Sequence, residues 1–166
     1  SSSQMSTMPH SNYGLTKRLG EKLTEMLSGI TVKFWNVYGQ ELINQRSHVV
    51  ADFIHSAQTL NQITMLTNGK ESRQMLHVDD CSEALYTLSQ LYHTLPRDKE
   101  YHVTSFSWVT VQEIANIVAG FFPGCKVIPG YATDVVQQDL QKQPDSHILT
   151  YWQPQITLET GVRSLI

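Results

Sequence analysis

Short β-branched and aromatic runs alternate with runs of helical spacing along this chain, and that alternation restricts its fold more than any other feature. Residues 30–37 (ITVKFWNV) predict a buried strand, because branched and aromatic side chains fit a pleated surface. Shorter strands are expected over residues 62–66, 73–78, 101–104 and 126–128. Between them, Leu15, Leu19, Leu23, Met26 and Leu27 recur at three and four and lay a stripe along a helix over residues 11–28, with Gly29 at its stop. Further helices are expected over residues 49–60, 81–92, 111–121 and 157–165. Thr110-Val111-Gln112-Glu113 is a capping box, in which Thr110 and Glu113 satisfy each other's free amides. Asp79-Asp80 stands before the third helix, where aligned peptide dipoles favour negative charge. Residues 131–146 are polar and Gln-rich and read as a loop. Strands alternating with helices imply an α/β architecture, and the chain shows no repeat period of the length that builds a solenoid.

Composition narrows the function classes. With 166 residues, 40% of them hydrophobic and 16% charged, the chain can bury a core, which excludes a disordered or collagen-like chain. Twelve Lys and Arg against fifteen Asp and Glu leave a net charge of −3, so nothing drives the chain as a whole toward nucleic acid or an anionic membrane. The longest apolar stretch, residues 114–122, is broken by Asn116 and Gly120 and falls far short of the roughly 20 residues that span a bilayer. Cys81 and Cys125 form neither a CxxC pair nor a ligand cluster, which argues against a disulfide framework or structural zinc and suits a reducing cytoplasm. The seven histidines show no metal-ligand spacing. The start, Ser1-Ser2-Ser3, has neither a methionine nor a signal-peptide pattern and reads as part of a longer chain.

Tyr13 and Lys17 stand four apart on the first helix, off its apolar stripe, so their side chains share a face. A phenol ordinarily loses its proton near pH 10, and a neighbouring ammonium favours the phenolate, which makes the pair a proton-transfer device. Alone, such a pair is equally an exposed helical Tyr and Lys. It does not stand alone. Ser1-Ser2-Ser3, Tyr13-x-x-x-Lys17, Lys33-Phe34-Trp35-Asn36-Val37-Tyr38-Gly39 and Arg73-x-x-x-His77-Val78-Asp79-Asp80 follow one another in an order that resembles the extended short-chain dehydrogenase/reductases. Within them it resembles the NAD-dependent epimerase/dehydratases of nucleotide sugars. Pro144-Asp145-Ser146, Tyr151-Trp152-Gln153-Pro154 and Leu158-Glu159-Thr160-Gly161-Val162 are similar to that family's closing pattern, so the resemblance covers nearly the whole chain.

The resemblance implies a Rossmann-like α/β fold and a role for each matching position. Tyr13 would exchange a proton with a sugar hydroxyl, and Lys17 would hold the nicotinamide ribose and lower the pKa of Tyr13. One of Ser2 and Ser3 would bond the reacting oxygen. Phe34 would lie against the nicotinamide through its backbone, Asn36 would contact the substrate's diphosphate or sugar, and Arg73 would pair with the diphosphate, whose oxygens its fork of donors matches. His77 to Asp80 would close the substrate pocket and start a helix. Glu21, Lys22 and Glu25 read as a solvated helix face, or as part of a homodimer interface through the first helix, as in the family. Departures exist: only nine residues separate Ser3 from Tyr13, Lys33 replaces the usual arginine, and Lys142 stands where an arginine often faces the nucleotide. No Gly-x-x-Gly-x-x-Gly or Gly-x-Gly-x-x-Gly occurs. The expectation is therefore that residues 1–166 are the C-terminal portion of an NAD(P)-dependent enzyme, without the glycine-rich half that seats the pyrophosphate. That makes the intact parent, and not this piece alone, the form expected to bind NAD or NADP. Two alternatives stay open: a non-catalytic chain that binds a nucleotide sugar or another subunit, and a reductase of a non-sugar ketone on the same scaffold.

Overall fold

The computed structural model describes residues 2–3, 11–44, 47–134 and 143–166. In chain order the elements are β1 (Ser2–Ser3), α1 (Asn12–Met26), β2 (Thr31–Phe34), β3 (Asn36–Tyr38), α2 (Val49–Leu60), β4 (Gln62–Thr64), β5 (Ser72–His77) and α3 (Val78–Gln90). They continue with β6 (Glu100–Val103), β7 (Trp108–Thr110), α4 (Val111–Gly120), β8 (Lys126–Ile128) and α5 (Leu158–Arg163), with a 3-10 turn at His147–Thr150 before α5. The strands form a parallel sheet β1-β2-β6, a sheet β3-β5-β7 in which β3 and β5 are parallel and β5 and β7 antiparallel, and a parallel pair β4-β8. This is the expected α/β, Rossmann-like class.

The strand expected over 30–37 is two. The backbone N–H of Trp35 still donates to the Val103 carbonyl at 3.4 Å. From Asn36 on, however, the chain pairs with β5, with Asn36 opposite Met75. A continuous apolar run cannot announce this change of partner. Trp35 holds the junction, its indole N–H donating to His102 Nδ1 at 3.3 Å and its ring meeting Trp108 edge-on at 5.8 Å. The short strand β7 was not expected from the sequence.

Strand β5 divides the core because its side chains alternate. Met75 belongs to a cluster built around α2, α4 and β4, with Phe53, Ile54, Ile63 and Ile114. Its neighbour Leu76 points to the opposite cluster, with Ala84, Leu88, Tyr101, Ile148 and Trp152. The capping box forms as expected: the Glu113 amide donates to Thr110 Oγ1 at 3.1 Å and the Thr110 amide to Glu113 at 2.7 Å. α3 starts earlier than expected, capped by the His77 ring, which accepts from the Asp79 amide at 3.3 Å. Asp79 and Asp80 thus lie inside the first turn. Asp80, buried, accepts the amides of Gln155 and Ile156 and ties the segment before α5 to this helix.

α1 is the unusual element. Ser11 caps it by accepting from the Gly14 amide at 3.0 Å. At its end the left-handed residue is Ser28 (φ 55°), while Gly29 donates to Thr24 O at 2.8 Å. The apolar stripe faces solvent: Leu15, Leu19, Leu23, Met26 and Leu27 are between 54% and 83% exposed. The inward face is Gly14, Lys17, Glu21 and Thr24, at helical spacing, packed over β1 and β2.

Candidate active site

A cavity of about 1030 Å³ opens where the β2–β3 junction, α2, β5 and the segment after β4 converge, and Phe34, Asn36 and Arg73 all line it. Strand geometry brings them together. Phe34 and Asn36 flank the junction at Trp35, and Arg73 lies two residues before Met75, the partner of Asn36. Arg73 and Met75, two apart on β5, share a face and turn toward the cavity, and Glu71, just before the strand, lines it too. Gln74 turns away and accepts from the Thr104 hydroxyl at 2.9 Å. The Asn36 side-chain amide donates to the Gln74 carbonyl at 3.4 Å. The Arg73 guanidinium is largely buried, donates to the Ser72 carbonyl at 2.8 Å and is ion-paired with Asp134.

Tyr13 and Lys17 do not line this cavity. The Lys17 ammonium lies 5.5 Å from the centre of the Tyr13 ring, so the pair is formed on α1. Tyr13 is 56% exposed, whereas Lys17 lines a cleft of about 270 Å³ beside Glu21, Thr24 and Thr31. The backbone links the two regions: Ser3 pairs with Phe34 and Ser2 with Lys33, and α1 packs on both β1 and β2. Lys142 lies outside the described residues.

A buried charge network underlies α1. The Lys33 side chain is 1% exposed, and its ammonium lies 2.7 Å from Glu100 and 3.4 Å from Glu21. Arg18 reaches the same two carboxylates at 3.3 Å and 2.9 Å. Glu21 is thus not part of a solvated face: it is 5% exposed. Burial acts to raise the Glu100 carboxyl, but the hydrogen bond and charge of Lys33 outweigh it and hold the group below the usual carboxylate range. The bond to Glu21 pushes the Arg18 guanidinium up. Burial pushes the His102 imidazole down, although its Nε2 lies 3.4 Å from Glu100.

His77 does not line the large cavity. It is buried with its ring edge-on to Tyr38 at 5.4 Å, and burial pushes the Tyr38 phenol up to about 12. Cys81 does reach the cavity, its thiol pushed up by burial and therefore less readily ionised. Glu71, Asp134, Ser47 and Asp52 are lining residues that sequence reasoning missed. Glu71 gave no signal of this, since it stands before the strand expected over residues 73–78 and before β5 itself. Among the described residues, no group of three or more His, Cys, Asp or Glu could hold a metal ion. No helix among them is long and apolar enough to cross a membrane.

The chain is thus a mostly parallel α/β unit with a Tyr-x-x-x-Lys helix packed over β1 and β2 and a cavity that bears an asparagine and an arginine. The family model for the NAD dependent epimerase/dehydratase family matches residues 1–104, and the chain belongs to that family. A search of the curated proteins finds no significant match. Among solved structures, the epimerase Mth375 of Methanothermobacter thermautotrophicus superposes with a TM-score of 0.78 at 20% identity, over 93% of this chain and 48% of that one. The UDP-glucose 4-epimerase of Thermotoga maritima, solved with UDP-glucose, gives 0.71 at 18%, over 91% and 50%. RMD of Pseudomonas aeruginosa, solved with NADPH, gives 0.75 at 17%, over 92% and 54%. The chain therefore spans about half the length of these structures.

Proposed function

We propose that this protein carries out NAD(P)-dependent oxidoreduction of a nucleotide sugar, as an epimerase, dehydratase or reductase, with residues 1–166 as the C-terminal, substrate-binding portion. The observation that carries the reading is the convergence of Phe34, Asn36 and Arg73 on one cavity of about 1030 Å³, with Ser3 paired to Phe34 at its edge. A concave site with a few convergent polar groups suits a small ligand, and a largely buried guanidinium in it suits a phosphate.

The chemistry that NAD or NADP supplies when bound is hydride exchange with a sugar carbon. The residues present fit its nicotinamide end: a phenol and an ammonium one helical turn apart on a helix that packs over β1 and β2. They do not include a glycine-rich turn for its pyrophosphate. In this reading Tyr13 passes a proton to or from the sugar oxygen, Lys17 binds the ribose hydroxyls, and Ser2 or Ser3 bonds the reacting oxygen. Phe34 lies against the nicotinamide through its backbone, Asn36 contacts the sugar or its diphosphate, and Arg73 holds the diphosphate. The exposed stripe on α1 pairs with a second copy of the chain.

Turnover of nucleotide sugars by the full-length protein, followed through nicotinamide absorbance at 340 nm, tests this. Tyr13→Phe is expected to lower kcat at least about 100-fold with substrate affinity kept. Arg73→Ala is expected to weaken binding of nucleoside diphosphates. Binding that ignores Arg73→Ala would sink the nucleotide-sugar reading and favour a ketone of another class.

A further inference from the structure

The cavity has a direction, and its far end carries a carboxylate with no role in the reading above. In the reading above the reacting end lies at the β2–β3 junction, where Ser3 pairs with Phe34 and Asn36 with Met75. Moving back along β5 from Met75, Arg73 comes two residues away and Glu71 four, roughly 7 and 13 Å at the rise of a strand. If Arg73 holds the diphosphate and the sugar faces the junction, the nucleoside extends toward Glu71.

Glu71 is built to meet something there. It is 9% exposed and lines the cavity. The Thr67 hydroxyl donates to its Oε1, and Thr67 is itself held by the Gly69 amide, which donates to Thr67 Oγ1 at 3.3 Å. Among the described residues the Thr67 hydroxyl is the one group that donates to this carboxylate, and it does so at Oε1. An ionised carboxylate only accepts, so its ligand must bring N–H or O–H groups. Met65 and Val111, both buried, and Leu66 at the rim provide apolar walls around it.

We propose that Glu71 selects guanine, making the substrate a GDP-linked sugar; the inference rests on the nucleotide-sugar reading. Guanine is the common base that presents two adjacent donors, its ring N1–H and exocyclic amine, in the fork that a carboxylate accepts bidentately. Uracil and thymine present a single N–H between two carbonyl oxygens, which a carboxylate repels. Adenine and cytosine set one amine beside a ring nitrogen's lone pair. A buried acceptor left unmatched discriminates strongly, because the wrong base forfeits its own hydration and leaves the carboxylate unpaired.

Titration calorimetry of the full-length protein with GDP, UDP, dTDP, CDP and ADP tests this. GDP is expected to bind at least about tenfold more tightly than each of the others. Glu71→Gln, nearly isosteric, is expected to weaken GDP about tenfold or more and leave UDP unchanged or tighter, since an amide both donates and accepts. UDP or ADP binding as tightly as GDP would overturn the assignment and leave the nucleotide-sugar reading standing. So would equal weakening of all five by Glu71→Gln, the mark of a ribose contact. Binding of none of the five would instead overturn the nucleotide-sugar reading itself.

Discussion

The Lys33 ammonium lies 3.4 Å from the Glu21 carboxylate, with only 1% and 5% of the two side chains exposed. Glu21 stands one helical turn beyond Lys17 on the inward face of α1, so this ion pair fixes the rotation of the helix that carries the Tyr13–Lys17 pair. Removing Lys33 leaves the buried Glu21 and its neighbour Glu100 to share the single cation of Arg18. Lys33→Met is therefore expected to cost about 3–5 kcal/mol in urea unfolding, and Lys33→Arg, which keeps the charge, much less. Equal losses for both would show that volume and not charge decides at this position.

Arg73 holds the carboxylate of Asp134 in the cavity, and a diphosphate must displace or share that partner. Asp134→Asn is expected to tighten binding of a nucleoside diphosphate by about tenfold, because the ligand no longer competes with an anion already seated. Calorimetry beside the parent protein checks it. A weaker complex would show that Asp134 orients the guanidinium for its ligand.

What the sequence revealed, and what it hid, follows from how far apart the decisive contacts are. The range of α2 and the capping box of α4 were legible because spacing and caps are local. Phe34, Asn36 and Arg73 were legible through a resemblance in motif order, and the fold brings them to one cavity. The break at Trp35 was hidden, since an apolar run reads the same whichever neighbour it pairs with. Glu21 read as a surface charge on a Glu-Lys-rich helix face because its buried partner, Lys33, comes from β2 and not from the helix itself. Asp134 was hidden for the same reason, being 61 residues from Arg73.

Two groups in the network make stability depend on pH in one direction. His102 has its pKa lowered from 6.5 by burial, so it is neutral in the fold, while the unfolded chain takes a proton below that pH. Its contribution is complete above about pH 6.5 and is lost as pH falls through the folded value. Glu100, held below 4.5, contributes above that pH and is lost below it. Unfolding free energy is thus expected to stay level from pH 8 to 7, decline below about 6.5 and decline again below about 4.5. His102→Gln should remove the first decline. Its persistence in that variant would place the titrating group elsewhere.

Leu15, Leu19, Leu23, Met26 and Leu27 give α1 an apolar face turned outward, while its polar face packs inward. Such an inversion is costly for a helix that stays alone in water, because a contiguous exposed patch of this kind drives association. Gly20, between Leu19 and Glu21, would let another backbone approach, since a Cβ there meets nothing within 4 Å. A second copy laying the same stripe against this one satisfies both at once, as a two-fold contact requires. The protein is expected to sediment as a dimer. Leu19→Glu with Leu23→Glu should make it a monomer and change unfolding of the protomer by less than about 0.5 kcal/mol, because both side chains are exposed in the chain by itself. A variant that still sediments as a dimer would place the interface on another surface.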